Sequence, residues 1–377
     1  GRGDRPGIYV PELYVSSSQT EAALADFLKG DAAALVILGE TGIGKTNLLC
    51  HWASDLSQDG HAVFYYDCAG SIHDSIETGL ARDLGAANAD ELNDVLQHIS
   101  ELAAANGRSR LILIFDAINE YRRPNQVGTA HLLRQIDALV GRLPDRNVKV
   151  VFSCRTVPWR QLHNTGKTQL LWHHYHQPEG AGEPFLLLQQ LDEETFALVY
   201  EKYRAHFNLQ TEHDQIPPAL RENLTRPFFL RMLAEAYSGR GIPVAQDSLL
   251  LNIFKRFYEE RINSREDQKF IEGLVQAMYE RNRSILWFDD LEAYPDLYAE
   301  LLSEDPDSSY QRMLARGILS ETPGDFFQSA QVRFLYDPLG SYALARLLYR
   351  QERDGSHLTA LIREKRDFHL ALSLIHI

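Results

Sequence analysis

Cysteine is scarce in this chain. Cys50, Cys68 and Cys154 are three in 377 residues, odd in number and without a CxxC pair, which excludes a disulfide framework and the common zinc spacings. Cys50 and Cys68 sit among apolar neighbours and read as small buried hydrophobes; a cytoplasmic home is expected. Positive charge is also short. Lys and Arg total 38 against 52 Asp and Glu, a formal net charge of −14, and tight sequence-independent binding to nucleic acid needs the opposite balance. Long apolar runs are missing too: Leu111–Phe115 is among the longest, far short of a bilayer, and no secretory signal opens the chain. No repeat at solenoid spacing and no low-complexity linker is found. The chain does not begin with Met and stops inside an apolar stretch, Leu370–Ile377. It reads as a fragment of something longer, natural or engineered.

What is present is ordinary globular material, 44% hydrophobic, 24% charged and 10% aromatic, and long enough for two or three domains. The first half alternates short apolar runs with helical stretches, the pattern of a parallel sheet wrapped by helices. Strands are expected at Ala34–Leu38, His61–Cys68, Arg110–Ile118, Val148–Cys154 and Phe185–Leu188. Their apolarity is continuous, as in strands buried on both faces. Helices are expected at Lys45–Leu56, Asp90–Ala105 and Thr129–Gly141. From about Leu191 the pattern turns helical, with little strand. Glu193–Phe207 and Pro227–Tyr237 are helices, and a loop with Gly239, Gly241 and Pro243 follows. Apolar stripes then run through Leu250, Ile253, Phe254, Phe257 and Ile262, and through Phe270, Leu274, Ala277 and Met278. Near the end a helix around Tyr310–Ala315, Gly317-Ile318-Leu319, a turn at Pro323-Gly324 and a strand at Val332–Tyr336 give the order of a winged-helix module.

Gly39-Glu40-Thr41-Gly42-Ile43-Gly44-Lys45-Thr46 has the spacing G-x-x-x-x-G-K-[ST]. Its glycines let successive backbone N–H groups curl around a β-phosphate, and the helix that starts there aims its positive end at the anion. Lys45 is expected to reach the β- and γ-phosphates and the Thr46 hydroxyl to ligate Mg²⁺. The motif follows an apolar strand and opens a helix at Asn47, Leu48 and Leu49, the setting it requires. The alternative is a glycine turn with a solvated lysine.

Such a loop needs an acid at the end of a neighbouring strand to hold the Mg²⁺ water shell. Asp116, about seventy residues after Lys45, fits that role; a strand-ending or turn-capping aspartate is the plainer reading. Motor-type P-loop ATPases place glutamate directly after this aspartate, but position 117 is alanine. The nearest acid is Glu120, which would orient or deprotonate the attacking water or else be a solvated loop acid. A base displaced in this way implies slow hydrolysis. Arg155 ends the next strand, where ligands lie in an open parallel sheet; it would face the γ-phosphate or form a structural ion pair. Arg122-Arg123 would touch a neighbouring subunit's nucleotide or simply be solvated.

Together, Gly39–Thr46, Asp116–Glu120, Arg155 and Arg226-Pro227-Phe228-Phe229-Leu230 resemble the STAND class of P-loop NTPases, and within it the NACHT-like ATPases of signalling proteins. With the winged-helix-like region the resemblance covers nearly all of the chain. It implies that residues 39–47 hold ATP or ADP, from Gly39, Glu40, Thr41, Gly42, Ile43 and Gly44 through Lys45, Thr46 and Asn47. It also implies that Thr46 and Asp116 hold Mg²⁺, that Glu120 is the hydrolytic acid, that Arg155 senses the γ-phosphate, and that Pro227 packs near the adenine. A plainer role for Pro227 is the first position of a helix after Thr225. Tyr9–Val15 looks like the family's lead-in, which lies against the base. Two departures stand out. Asn119 replaces a common Asp, and Tyr336 stands in Val332-Arg333-Phe334-Leu335-Tyr336-Asp337 where many relatives have a histidine that touches the β-phosphate. Tyr336 would donate a hydrogen bond or belong to the core.

The expected architecture is an α/β P-loop NTPase domain with its lead-in over residues 1–190, a small helical domain over 191–245, a winged-helix-like domain over 246–350 and the start of a further helical region over 351–377. The implied function is an ATP/ADP switch with slow hydrolysis that self-associates on binding ATP. It would act between an amino-terminal effector and a carboxy-terminal sensor outside this chain, in antiphage defence or cell death; the trigger is not legible. Adenine is expected because no guanine-reading N/T-K-x-D element follows the core. The rival is a DNA-associated AAA+-type ATPase with a winged helix, against which Ala117 and the acidic charge count. A transcription regulator of the same class is a third reading.

Overall fold

The computed structural model describes residues 9–68, 75–105, 110–121, 128–143, 147–156, 158–160, 172–243, 250–303, 305–322 and 329–351. Arg122, Arg123, Pro323, Gly324 and the whole of 352–377 therefore lie outside the described residues.

Helices α1 (Ser18–Lys29), α2 (Lys45–Gln58), α3 (Ile76–Leu84), α4 (Ala89–Ala105) and α5 (Gly128–Arg142) alternate with strands β1 (Ala34–Gly39), β2 (Ala62–Asp67), β3 (Leu111–Asp116) and β4 (Val148–Arg155); a two-residue strand, β5 (Leu186–Leu187), follows. All five strands pair in parallel in the order β2-β3-β4-β1-β5. This is the parallel sheet flanked by helices of a P-loop NTPase. Two helices were not apparent in the sequence, α1 and α3. The Ser17 hydroxyl caps the first by accepting from the Thr20 N–H at 3.2 Å.

Alternation along each strand explains why the apolar runs are continuous. Leu35 and Ile37 of β1, Ile112 and Ile114 of β3 and Val151 of β4 pack with Leu24 and Phe27 of α1 and with Leu48, Leu49 and Trp52 of α2. The intervening residues Val36, Leu38, Leu113, Phe115, Val150 and Phe152 pack on the opposite face with Ile76, Leu80, Leu92, Leu96, Leu132 and Ile136 of α3, α4 and α5. Period-two geometry then puts Asp116, two residues past Ile114, and Ser153, two past Val151, on the face that α2 covers. Lys149 breaks the apolar pattern of β4 yet is fully buried. Its Nζ donates to the carbonyls of Gly30 (2.8 Å) and Ala32 (2.6 Å) just past the end of α1, where a cation meets the negative end of the helix.

By internal contacts the described chain divides into one unit of residues 9–206 with 224–230 and a second of 207–223 with 231–351. Helix α6 (Glu193–Phe207) begins the helical stretch, and α7 (Pro218–Leu224), α8 (Pro227–Ala236) and α9 (Leu250–Arg261) follow. The second unit then continues with α10 (Arg265–Arg281), β6 (Ile285–Trp287), α11 (Pro295–Leu301), α12 (Ser309–Ala315), β7 (Leu319–Thr322), β8 (Gln331–Phe334) and α13 (Asp337–Gln351). Strand is sparse here, as expected, and β8 overlaps the strand expected at Val332–Tyr336. The three short strands form an antiparallel sheet in the order β6-β8-β7, of which β6 was not foreseen because it supplies too few residues to show a period in sequence. In α10 Asp267 is fully buried, and its carboxylate accepts from Arg312 Nε (3.0 Å) and Arg316 Nη1 (3.0 Å). No helix among the described residues is long and apolar enough to cross a membrane.

Candidate functional site

β1 delivers the glycine-rich loop to the carboxyl edge of the sheet, and α2 starts directly beyond it. Gly42 (φ +76°) and Gly44 (φ +102°) hold left-handed conformations that a side chain resists. Gly39 is constrained by space instead: a Cβ there would stand 2.8 Å from Cγ2 of Ile43. Lys45 folds back inside the loop, its Nζ donating to the carbonyls of Gly39 and Glu40 at 2.8 Å each. Burial, and then the nearby Arg155 guanidinium, push its ammonium down to about 8. A phosphate placed there would supply the negative charge that this buried cation lacks.

Asp116 ends β3 with its side chain toward α2. Three hydroxyls hold it. Thr46 and Tyr65 both donate to Oδ2 at 2.8 Å, and Ser153 donates to Oδ1 at 2.5 Å. Burial raises its pKa, and the hydrogen bonds from Ser153 and Thr46 oppose that rise. The Thr46 hydroxyl and an Asp116 carboxylate oxygen thus converge on one point. They are the hard oxygen donors that Mg²⁺ takes alongside water and phosphate, so these residues fit the ion.

Past Asp116 the backbone turns sharply. Ala117 sits at φ 57°, ψ 53°, with its N–H donating to Ser153 Oγ at 2.8 Å. A one-turn 3₁₀ helix, Ile118–Glu120, follows and brings Asn119 and Glu120 against the end of β4. Asn119 Oδ1 accepts from the Arg155 N–H at 2.9 Å; among the described residues its buried Nδ2 has no hydrogen-bond partner. Glu120 Oε1 accepts from Arg155 Nη2 at 2.9 Å, and both side chains are largely covered. The structure therefore gathers Lys45, Thr46, Asp116, Glu120 and Arg155 at the carboxyl ends of β1, β3 and β4.

Pro227 opens α8 beside the same loop, its Cγ 3.7 Å from where a Cβ on Gly44 would lie. The lead-in packs on α2: Tyr9 Oη lies 3.4 Å from His51 Nδ1, and the Tyr14 and His51 rings are 4.5 Å apart. Tyr336 stands just before α13, its carbonyl accepting from the N–H groups of Leu339 and Gly340. None of the three cysteines is in a disulfide among the described residues, and Cys50 is only half-buried, which corrects its assignment to the core.

Residues 33–194 match the family model of the NACHT domain. Residues 33–194 are a NACHT-like P-loop NTPase domain. This places the cradle, Asp116, Glu120 and Arg155 inside a nucleoside-triphosphatase domain that binds ATP. No curated protein matches the chain. Among solved structures it is similar to a Walker-type ATPase of Pyrococcus abyssi, at 15% identity and TM-score 0.42 over 88% of this chain and 95% of that one. It is also similar to the ORC2 protein of Aeropyrum pernix in ADPNP and ADP complexes, at 14% identity and TM-score 0.38 over 92% and 97%. A third is AMPPCP-bound DnaA of Aquifex aeolicus, at 12% identity and TM-score 0.34 over 95% and 98%.

Sequence reasoning missed Ser153 and Tyr65, and gave Arg226 no role of its own. The signal for Ser153 was its spacing: two residues before Arg155, it shares that residue's face of β4. Tyr65, two residues before Asp67, was hidden inside an aromatic run.

Proposed function

We propose that this NACHT-like domain works as an ATP-dependent switch with slow turnover, and not as a motor. The observation that carries the proposal is the Arg155–Glu120 pair at 2.9 Å, beside a cradle whose Asp116 is followed by alanine. Glu120 is the water-activating acid in this reading, three residues beyond the position a motor would use, and its carboxylate is shared with a cation. Arg155 is the γ-phosphate sensor. Lys45 and the loop from Gly39 to Asn47 bind the phosphates, Thr46 and Asp116 hold Mg²⁺, and Pro227 lies by the adenine. The bound ion would neutralise charge between the β- and γ-phosphates. The chain's own part is to position the phosphates and to hold the attacking water's proton at Glu120. Nucleotide exchange then shifts the population between a resting and a self-associating form, since a ligand drives such a change only by differing in affinity for the two.

The NTPase module at 1–190, the helical module at 191–245 and a winged-helix-like module at 246–350 complete this proposal. The order α10-β6-α11-α12-β7-β8, with β8 central in its sheet, supports the last of these. A role between an effector and a sensor in defence signalling rests on the family resemblance. Lys45→Ala should abolish ATP and ADP binding. Glu120→Gln should bind both and lower single-turnover hydrolysis at least about 100-fold. Normal hydrolysis by Glu120→Gln would remove Glu120 from the base role. DNA-stimulated rapid turnover would favour the AAA+-type reading.

A further inference from the structure

The segment that opens α8 touches the phosphate loop at three separate points. Arg226 Nη2 lies 3.0 Å from Oε2 of Glu40, the second residue of the loop. The Phe228 N–H donates to the Gly42 carbonyl at 3.2 Å. This donor belongs to the first turn of α8, where a helix has no internal acceptor to offer. A Cβ on Gly42 would stand only 2.8 Å from the Phe228 Cβ and 3.3 Å from its Cγ, so the phenylalanine already fills the space above that glycine.

The segment is also tied down from behind. The Leu191 N–H donates to the Thr225 carbonyl at 2.9 Å. In the amide orientation that pairs acceptor with donor, Gln190 accepts from Arg226 Nε at 3.0 Å. Residues 225–228 thus bridge the chain leaving β5 and the loop that holds the phosphates. A role for Pro227 beside a base explains none of these contacts, which are made by the residues on either side of it and reach loop atoms.

We infer that Arg226 and Phe228 form a clamp on the phosphate loop, and that the clamp sets how long a nucleoside diphosphate stays bound. Closing over Glu40 and Gly42 holds the loop's N–H groups in the curled form that receives the β-phosphate. Loosening the clamp frees the loop and the nucleotide together. Arg226 and Phe228 are positioning residues, acting through the loop and not on the phosphate. The inference rests on the reading of Gly39–Thr46 as the nucleotide site and adds to it the element that governs release.

The test is stopped-flow release of methylanthraniloyl-ADP from the 377-residue chain in the presence of Mg²⁺. Arg226→Glu and Glu40→Arg should each speed release by about three- to fivefold, the range open to a partly exposed ion pair. The exchanged double variant Glu40→Arg/Arg226→Glu should return to within about twofold of the unaltered chain. Phe228→Ala should speed release by about tenfold, and Phe228→Leu should recover most of the loss. Thermal melting of the nucleotide-free variants should match the unaltered chain. If Phe228→Ala melts early, the charge exchange, confined to the surface, decides alone. Unchanged release in every variant, or a double variant no slower than the faster single one, overturns the clamp and leaves the nucleotide site standing. No saturable binding by the unaltered chain, or equal binding by Lys45→Ala, overturns the site and the clamp with it.

Discussion

Ser153 serves two neighbours with one hydroxyl, donating to Asp116 Oδ1 and accepting from the Ala117 N–H. Both partners are covered by β4 and the turn after β3, so removing the hydroxyl leaves a carboxylate oxygen and an amide without their bonds. Ser153→Ala should therefore cost roughly 2–3 kcal/mol of stability, read as a lower denaturant midpoint at unchanged slope. Ala117 makes the opposite case. Its left-handed conformation (φ 57°) disfavours a Cβ, and glycine would relieve about 1 kcal/mol, partly offset by the greater freedom of an unfolded glycine. A117G should melt at or slightly above the temperature of the unaltered chain; a clear loss of stability would show that the methyl group packs usefully. Residues such as these escape a linear reading, because their roles arise only where β3 and β4 lie side by side. Lys45 and Thr46 did not escape it, since the cradle is contiguous and its geometry is written in its glycines.

At the level of elements, legibility followed length and context. β1, β3 and β4 were plain because both faces of a central parallel strand are buried, which leaves an unbroken apolar run. The helix at 193–207 was plain because Phe196, Val199, Tyr200 and Tyr203 share one buried stripe. β6 was not, since Ile285–Trp287 is three residues long and exists as a strand only through its pairing with β8. Helix α7, at seven residues, is too short to show a period. Inside the second unit the packing of α10 on α12 depends on one buried charge. Burial pushes the Asp267 carboxyl up, but the hydrogen bonds and charge of Arg312 outweigh it and hold it below the ordinary range. A carboxyl lowered by folding lends stability above its unfolded pKa, about 3.9, and loses it as pH falls through the lower folded value. The second unit should thus lose stability below about pH 4. Asp267→Asn should remove that acid dependence while costing roughly 3–5 kcal/mol at neutral pH, as measured by melts across a pH series.

Across the whole molecule, a net charge of −14 surrounds a site built to receive an anion. In the proposed reading, the positive end of α2 and the side chains of Lys45 and Arg155 would hold the phosphates locally against an unfavourable average field. Raising the salt concentration should screen that field and speed nucleotide association modestly, whereas a site fed by a basic surface would slow. A slow switch with Glu120 as its base is tested most directly by the single-turnover rate of ATP hydrolysis by the intact chain, with and without double-stranded DNA. The expected rate is below about 0.1 s⁻¹, in the range of unassisted switch GTPases, unmoved by DNA and lowered at least about 100-fold by Glu120→Gln. Turnover of about 10 s⁻¹ or more, or a strong acceleration by DNA, would contradict it.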